Sequence, residues 1–227
     1  MTQDKRLVKE GSARSFGRVA SRMSPEAQKQ LETRIEPFLF DPKNLPKAER
    51  ITLEIGMGNG MLLFERAKAN PDELFLGIEV YKNGLRSLVS KCEKEGITNL
   101  KISNQDAREV LDDLPTGIID QVCLLYPDPW PKRRQHKRRI VNQDFLKAVY
   151  RALKDDGEYF MATDIPSYLH HMIAHVHTFD LFEAPAVKPQ DWGTPPKWWI
   201  STKYEKKAYK EGRFPWYLTF HKREITS

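Results

Sequence analysis

Between residues 51 and 178 one unit recurs five times: a short apolar run, a turn, and a helical stretch. The runs are 51–55, 74–80, 100–103, 118–126 and 158–163; helical patterning covers 61–69, 85–95, 107–114, 144–153 and 167–178. Apolar runs of this length that do not alternate with polar residues describe strands buried on both faces. Strands separated by helices pair in parallel through right-handed crossovers, which places helices on both sides of one sheet. The expected fold is therefore an α/β, doubly wound sheet. Residues 216–222 break the rhythm by alternating aromatic and polar side chains, and are expected as an antiparallel strand at the sheet edge.

Residues 1–40 separate from this domain, which takes up 41–227. Lys5, Arg6, Lys9, Arg14, Arg18 and Arg22 are interspersed with glycine and serine, and such an arm cannot bury enough apolar surface to fold alone. It is expected either to fray or to order on RNA through Arg14, Phe16 and Arg18. A helix is expected to start at Ser24-Pro25-Glu26, with serine as N-cap and proline in the first turn, and to reach about Glu36. Residues 184–199, rich in proline and tryptophan, read as an ordered loop.

The formal net charge is +6, and residues 132–139 alone hold six Lys or Arg, so the rest of the chain is balanced. That local charge points to a polyanionic partner. No apolar run approaches the ~18 residues of a membrane-spanning helix, and the N-terminal stretch is charged, so a cytoplasmic location and no membrane partner are expected. Cys92 and Cys123 lack metal-ligand spacing, and His171 and His175 share a helical face without an intervening Glu. No metal site and no disulfide are expected.

In an open α/β sheet, ligands bind beyond the carboxyl ends of the strands. After the first strand comes Glu54-Ile55-Gly56-Met57-Gly58-Asn59-Gly60, a loop whose glycines admit positive φ and close approach of a ligand. The sixth position of a Gly-x-Gly-x-x-Gly fingerprint is Met61, so a dinucleotide pyrophosphate fits poorly. Glu79 ends the second strand, where an acid can accept both hydroxyls of a ribose. Asp106 follows the third within Asn104-Gln105-Asp106-Ala107, a cluster able to read the amino edge of adenine. Asp128 follows the fourth. Four acids at four strand ends repel a pyrophosphate but suit a cofactor with a sulfonium and an ammonium, S-adenosylmethionine.

Asp128 sits within Tyr126-Pro127-Asp128-Pro129-Trp130-Pro131, where the prolines impose a rigid, extended turn. The basic run follows at once, offering Arg134, Gln135, His136, Lys137, Arg138 and Arg139 as RNA contacts. A fixed carboxylate beside an aromatic plate and a polycation suits chemistry on a nucleic-acid base.

Together, the Glu54-to-Gly60 loop, Tyr126-Pro127-Asp128-Pro129-Trp130 with Lys132, Lys137-Arg138-Arg139, Thr163-Asp164 and Thr202-Lys203-Tyr204-Glu205 resemble the bacterial tRNA (guanine-N7)-methyltransferase family over about residues 12–223. The resemblance implies the Rossmann-like sheet of class I S-adenosylmethionine-dependent methyltransferases and, as substrate, guanine 46 in the variable loop of tRNA. It implies cofactor contacts at Glu54, Gly56, Gly58, Gly60, Glu79, Asp106 and Asp128, with Asp128 also catalytic. It implies substrate contacts at Lys132, Asp164, Thr202, Lys203, Tyr204 and Glu205. The residues alone leave open a methyltransferase of another substrate and a non-catalytic RNA-binding module. A monomer and a homodimer are equally compatible with the sequence.

Overall fold

The computed structural model describes residues 24–185 and 188–223. The arm with Arg14, Phe16 and Arg18 lies outside the described residues.

The expected alternation is present. Strands β1 (Ile51–Ile55), β2 (Leu74–Ile78), β3 (Leu100–Ser103), β4 (Ile119–Leu125) and β5 (Leu153–Thr163) are each followed by a helix. These helices are α2 (Met61–Ala69), α3 (Lys82–Glu95), α4 (Ala107–Asp113), α5 (Gln143–Ala152) and α6 (Pro166–Phe179). Ahead of them stands α1 (Pro25–Ile35), whose Ser24 side chain accepts the Ala27 N–H at 3.2 Å. The last part of the chain adds β6 (Phe182–Glu183), α7 (Lys203–Lys210) and β7 (Trp216–Lys222).

The sheet runs β3-β2-β1-β4-β5-β7-β6, with the first five strands parallel and β7 antiparallel to both of its neighbours. Chain order reverses between β1 and β4, which opens a crevice at their carboxyl ends. Both sheet faces are covered by helices, and Leu53, Phe75, Leu76, Val122 and Tyr159 are fully enclosed. Each such side chain contributes roughly 1.5–3 kcal/mol of hydrophobic stabilisation. Among the described residues no helix is long and apolar enough to cross a membrane.

Three differences from the sequence reading have physical causes. Residues 216–222 do pair antiparallel, but the two-residue β6 takes the outer position, and so short a strand carries no periodic signal. α3 begins a turn earlier than its apolar pattern, because Asn83 and Gly84 are poor helix formers that tertiary packing overrides. β5 starts at Leu153, directly after α5, and absorbs Asp155-Asp156-Gly157 through a register shift against β4.

Candidate active site

The glycine loop leaves β1 with Gly56, Gly58 and Gly60 all at positive φ, between 61° and 72°. The Gly56 and Met57 N–H groups donate to the Ile78 carbonyl at 2.9 and 3.3 Å, stapling the loop to β2. Glu79 completes the staple: its carboxylate accepts the Gly58 N–H at 2.7 Å and the Tyr81 N–H at 2.8 Å. Burial raises the Glu79 pKa, and those N–H bonds work in the opposite direction. Gly84, in the first turn of α3, presses on the same loop. A Cβ at Gly84 would stand 1.9 Å from the Gly58 carbonyl oxygen, so any larger residue must displace the loop.

Two cavities open at the β1/β4 crevice. The first, of about 330 Å³, is walled by Ile78, Val80, Leu124 and Ile140 and carries Glu79, Asp106 and Asp128. Asp106 is committed locally: it accepts the Arg108 N–H at 3.0 Å as N-cap of α4, and the Arg108 guanidinium at 2.9 and 2.7 Å. The charge on that wall is therefore partly compensated.

The second cavity, of about 380 Å³, carries Glu54 and Glu65 with Thr202, Lys203 and Lys206. Glu54 is only 5 % exposed, and desolvation pushes its pKa up to about 8 against the pull of the nearby Arg66 guanidinium. Arg66 is itself buried, held 4.3 Å from the Trp198 ring and 5.4 Å from the Phe75 ring. Tyr126 and Tyr204, stacked with centroids 6.0 Å apart, border both cavities. The Tyr204 hydroxyl lies 3.2 Å from where a Cβ on Gly58 would sit.

The proline turn is bracketed by strain. Tyr126 and Trp130 take φ of 47° and 45°, a region that costs a side-chain-bearing residue roughly 1–3 kcal/mol. The Tyr126 N–H donates to the Ala162 carbonyl at 2.8 Å, and the Arg138 guanidinium lies 4.8 Å over the Trp130 ring. Pro127-Asp128-Pro129 is thereby fixed at both ends, with Asp128 at the rim of the first cavity.

The basic run forms a 3₁₀ helix, Arg133–Arg138. Lys132, Arg133, Arg134, Lys137 and Arg138 are exposed, and Gln135 and His136 are half-buried. Arg139 is a correction to the sequence reading: only 4 % exposed, it donates to the Pro129 carbonyl at 3.0 Å and the Ser167 carbonyl at 3.2 Å. Its guanidinium also lies 5.0 Å over the Tyr168 ring. It braces the proline turn against α6 and offers no surface to RNA. Further along α6, the His171 Nε2 donates to the Val141 carbonyl at 2.8 Å, a structural role for that histidine.

Other expected substrate residues are placed differently from one another. Thr202, Lys203 and Tyr204 line the second cavity. Glu205 is buried, accepting the Trp199 indole N–H at 3.0 Å and the Tyr217 hydroxyl. Asp164 pairs with the Arg213 Nε at 2.7 Å. Lys132, Asp164 and Glu205 line neither cavity, and Gly60 shapes the loop from behind, where a Cβ would meet Leu88 at 2.6 Å. Arg66 and Gly84 were not legible as site residues: an arginine in an amphipathic helix and a glycine near a helix start carry no signal of what they touch.

The family model described as "Putative methyltransferase" matches residues 48–218. A tRNA (guanine-N(7)-)-methyltransferase of Rhizobium johnstonii is 39% identical over 218 residues, covering 91% of this chain and 94% of that protein. One from Roseobacter denitrificans is 44% identical over 182 residues, covering 79% and 78%. Among solved structures, the 16S rRNA methyltransferase KamB superposes with a TM-score of 0.56 at 13% identity, over 89% of this chain and 96% of that one. An antibiotic-related methyltransferase gives 0.54 at 16% identity, with the same coverage. These two likenesses speak to the fold: a class I methyltransferase sheet.

Proposed function

The chain belongs to the tRNA (guanine-N(7)-)-methyltransferase family, and from that membership we propose how its residues divide the work of the reaction. The protein methylates N7 of a guanine in tRNA, and S-adenosylmethionine supplies the methyl group as an electrophilic sulfonium. The residues fit that cofactor. The first cavity combines an apolar slot with Glu79 and Asp106, and the glycine cradle beside it admits no Cβ at Gly60 and little at Gly58. Ile78, Val80 and Ile140 would flank the adenine, Glu79 would accept the ribose hydroxyls, and Glu54 would face the cationic end.

Guanine N7 already presents an in-plane lone pair, so no general base is needed and positioning supplies most of the rate. Asp128 is the group suited to hold the base: the N1–H and N2 amino edge of guanine donates, and a carboxylate accepts. As the methyl arrives, the purine becomes cationic, and the same fixed carboxylate stabilises that charge without reorganising. Tyr126 and Trp130 flank Asp128 and offer rings for stacking, worth roughly 1–3 kcal/mol per base. The exposed cations of 132–138 provide sequence-independent attraction to phosphates and can offset the few kcal/mol needed to expose a stacked base.

The observation that carries this division is the placement of Asp128, held by two strained aromatics and the Arg139 brace at the mouth of the cavity that holds Glu79. Guanine 46 of the variable loop is the proposed target, on the resemblance of the motifs. Nucleoside mass spectrometry of an unmodified tRNA transcript, incubated with protein and methyl-labelled S-adenosylmethionine, tests both points. Labelled 7-methylguanosine is expected with the wild-type transcript and not with one carrying adenine at position 46. Label persisting in the second transcript would move the target, and no label in either would refute the activity.

A further inference from the structure

Helix α7 begins in the wall of the second cavity, but Lys207, Tyr209, Lys210 and the turn after the helix have no part in the chemistry described above. The helix packs on one side only: Glu205 and Ala208 are buried, while Lys203, Lys206, Lys207 and Lys210 are exposed. Its one carboxylate points inward, to Trp199 and Tyr217. The acid beside those lysines is Glu211, just past the helix, which pairs with Lys207 at 3.8 Å and with the Arg213 guanidinium and leaves the surface with a net positive charge. Beyond the helix, Gly212 at φ 69° turns the chain. The Arg213 N–H then donates to the Ala208 carbonyl at 2.9 Å, while its guanidinium pairs with Asp164 at 2.7 Å.

Those bonds hold Phe214 in the open. Phe214 is 71% exposed and Tyr209 49%, and their rings meet edge to face with centroids 6.1 Å apart. A solvated lysine helix would account for the charge but not for two exposed aromatic rings in contact, Tyr209 on the helix and Phe214 on the braced turn. Exposed aromatics interleaved with lysines are the pattern of a surface that binds unpaired nucleotides.

We propose that α7 and the 211–214 turn form a second tRNA-binding surface: the lysines meet the ribose-phosphate backbone, and the Tyr209–Phe214 pair receives an unstacked base. The proposal rests on the tRNA reading above. Charge complementarity argues for it, and so does continuity with the site, because the first turn of α7 already puts Lys203 and Tyr204 into the cavity wall. Eight helical residues span about 12 Å, so Lys207 and Lys210 lie within a few nucleotides of a base held in the cavity. The ring pair is pre-organised, so little side-chain entropy is lost when a base docks on it.

The test uses the full chain, with Lys207→Ala/Lys210→Ala as one variant and Phe214→Ala as another, neither touching the two cavities. tRNA binding is titrated against salt, and S-adenosylmethionine affinity is measured by calorimetry. Removing two phosphate contacts should flatten the slope of log K against log salt by about 1.4–1.8. Phe214→Ala should weaken tRNA binding about 5- to 150-fold with the slope unchanged. Cofactor affinity should match wild type in both. Wild-type tRNA affinity and slope in these variants, in a protein that methylates tRNA, would overturn the second surface alone. Loss of cofactor affinity alongside tRNA affinity would assign these residues to folding and also overturn it. A wild-type chain that neither binds nor methylates tRNA would bring down the underlying reading as well.

Discussion

Glu54→Gln should stabilise the protein, by a margin that grows as pH rises above about 4.5 and is largest in alkaline solution. The group is buried beside Arg66, and its pKa is raised from the ordinary 4.5 to about 8. The folded state thus keeps the proton where the unfolded chain has already released it. Its contribution to stability is complete below pH 4.5, declines as pH rises, and is fully lost above about 8. At ~1.4 kcal/mol per pKa unit, the cost on the alkaline side is roughly 5 kcal/mol. Glutamine has nearly the same shape and is neutral throughout, so it behaves like the protonated acid at every pH.

Urea denaturation of wild type and Glu54→Gln at pH 5, 7 and 9 checks the reasoning. The two should agree within about 1 kcal/mol at pH 5, and the variant should lead by several kcal/mol at pH 9, within the bounds set by total stability. A constant difference across the three pH values would refute a neutral, desolvated Glu54. The same residue links binding to protons. A cation entering the second cavity favours the carboxylate, so S-adenosylmethionine binding near pH 7 should release a proton into buffer. The variant, having none to release, should show binding enthalpies independent of buffer ionisation.

Four further outcomes follow from the geometry. Asp128→Ala should abolish methyl transfer in a single-turnover assay while S-adenosylmethionine affinity falls by less; wild-type turnover would remove Asp128 from the reaction. Gly84→Ala, forcing a Cβ to within 1.9 Å of the Gly58 carbonyl, should lower stability by roughly 1–3 kcal/mol and weaken cofactor binding measured by calorimetry. Lys137→Ala/Arg138→Ala should flatten the salt slope of tRNA binding by about 1.4–1.8. Arg139→Ala should instead lower the thermal midpoint, because it empties a buried brace whose partners are two backbone carbonyls.

The order of strands and helices was legible because the β-runs are buried on both faces over most of their length, and so are largely apolar, with Glu54 and Gln121 among the polar exceptions. The site was legible to the extent that topology alone locates it: strand ends converge at the crevice, and Glu79, Asp106 and Asp128 are at strand ends. The burial of Arg139 and Glu205 was not legible, for one shared reason. A charge in the sequence reads as surface, yet both are buried among carbonyl, indole and phenol partners that come from segments 10–28 and 6–12 residues away. α7 escaped notice because its eight residues bury only two side chains, too few to write a helical period.

Arg66 shows how such hidden groups reach the chemistry. Its guanidinium is roofed by Trp198, from the Trp-rich loop, and floored by Phe75 of β2, so it is a cation fixed behind Glu54. Without it, desolvation would hold Glu54 neutral over a wider pH range, and the second cavity would lose its pull on a cation. The same loop sends Trp199 to Glu205, which with Tyr217 seats α7 and therefore Tyr204 at the wall between the cavities. One proline- and tryptophan-rich segment thus sets both the charge available to a cationic ligand and the position of the aromatic wall. Changes in that loop should consequently alter cofactor affinity without touching a cofactor-binding residue.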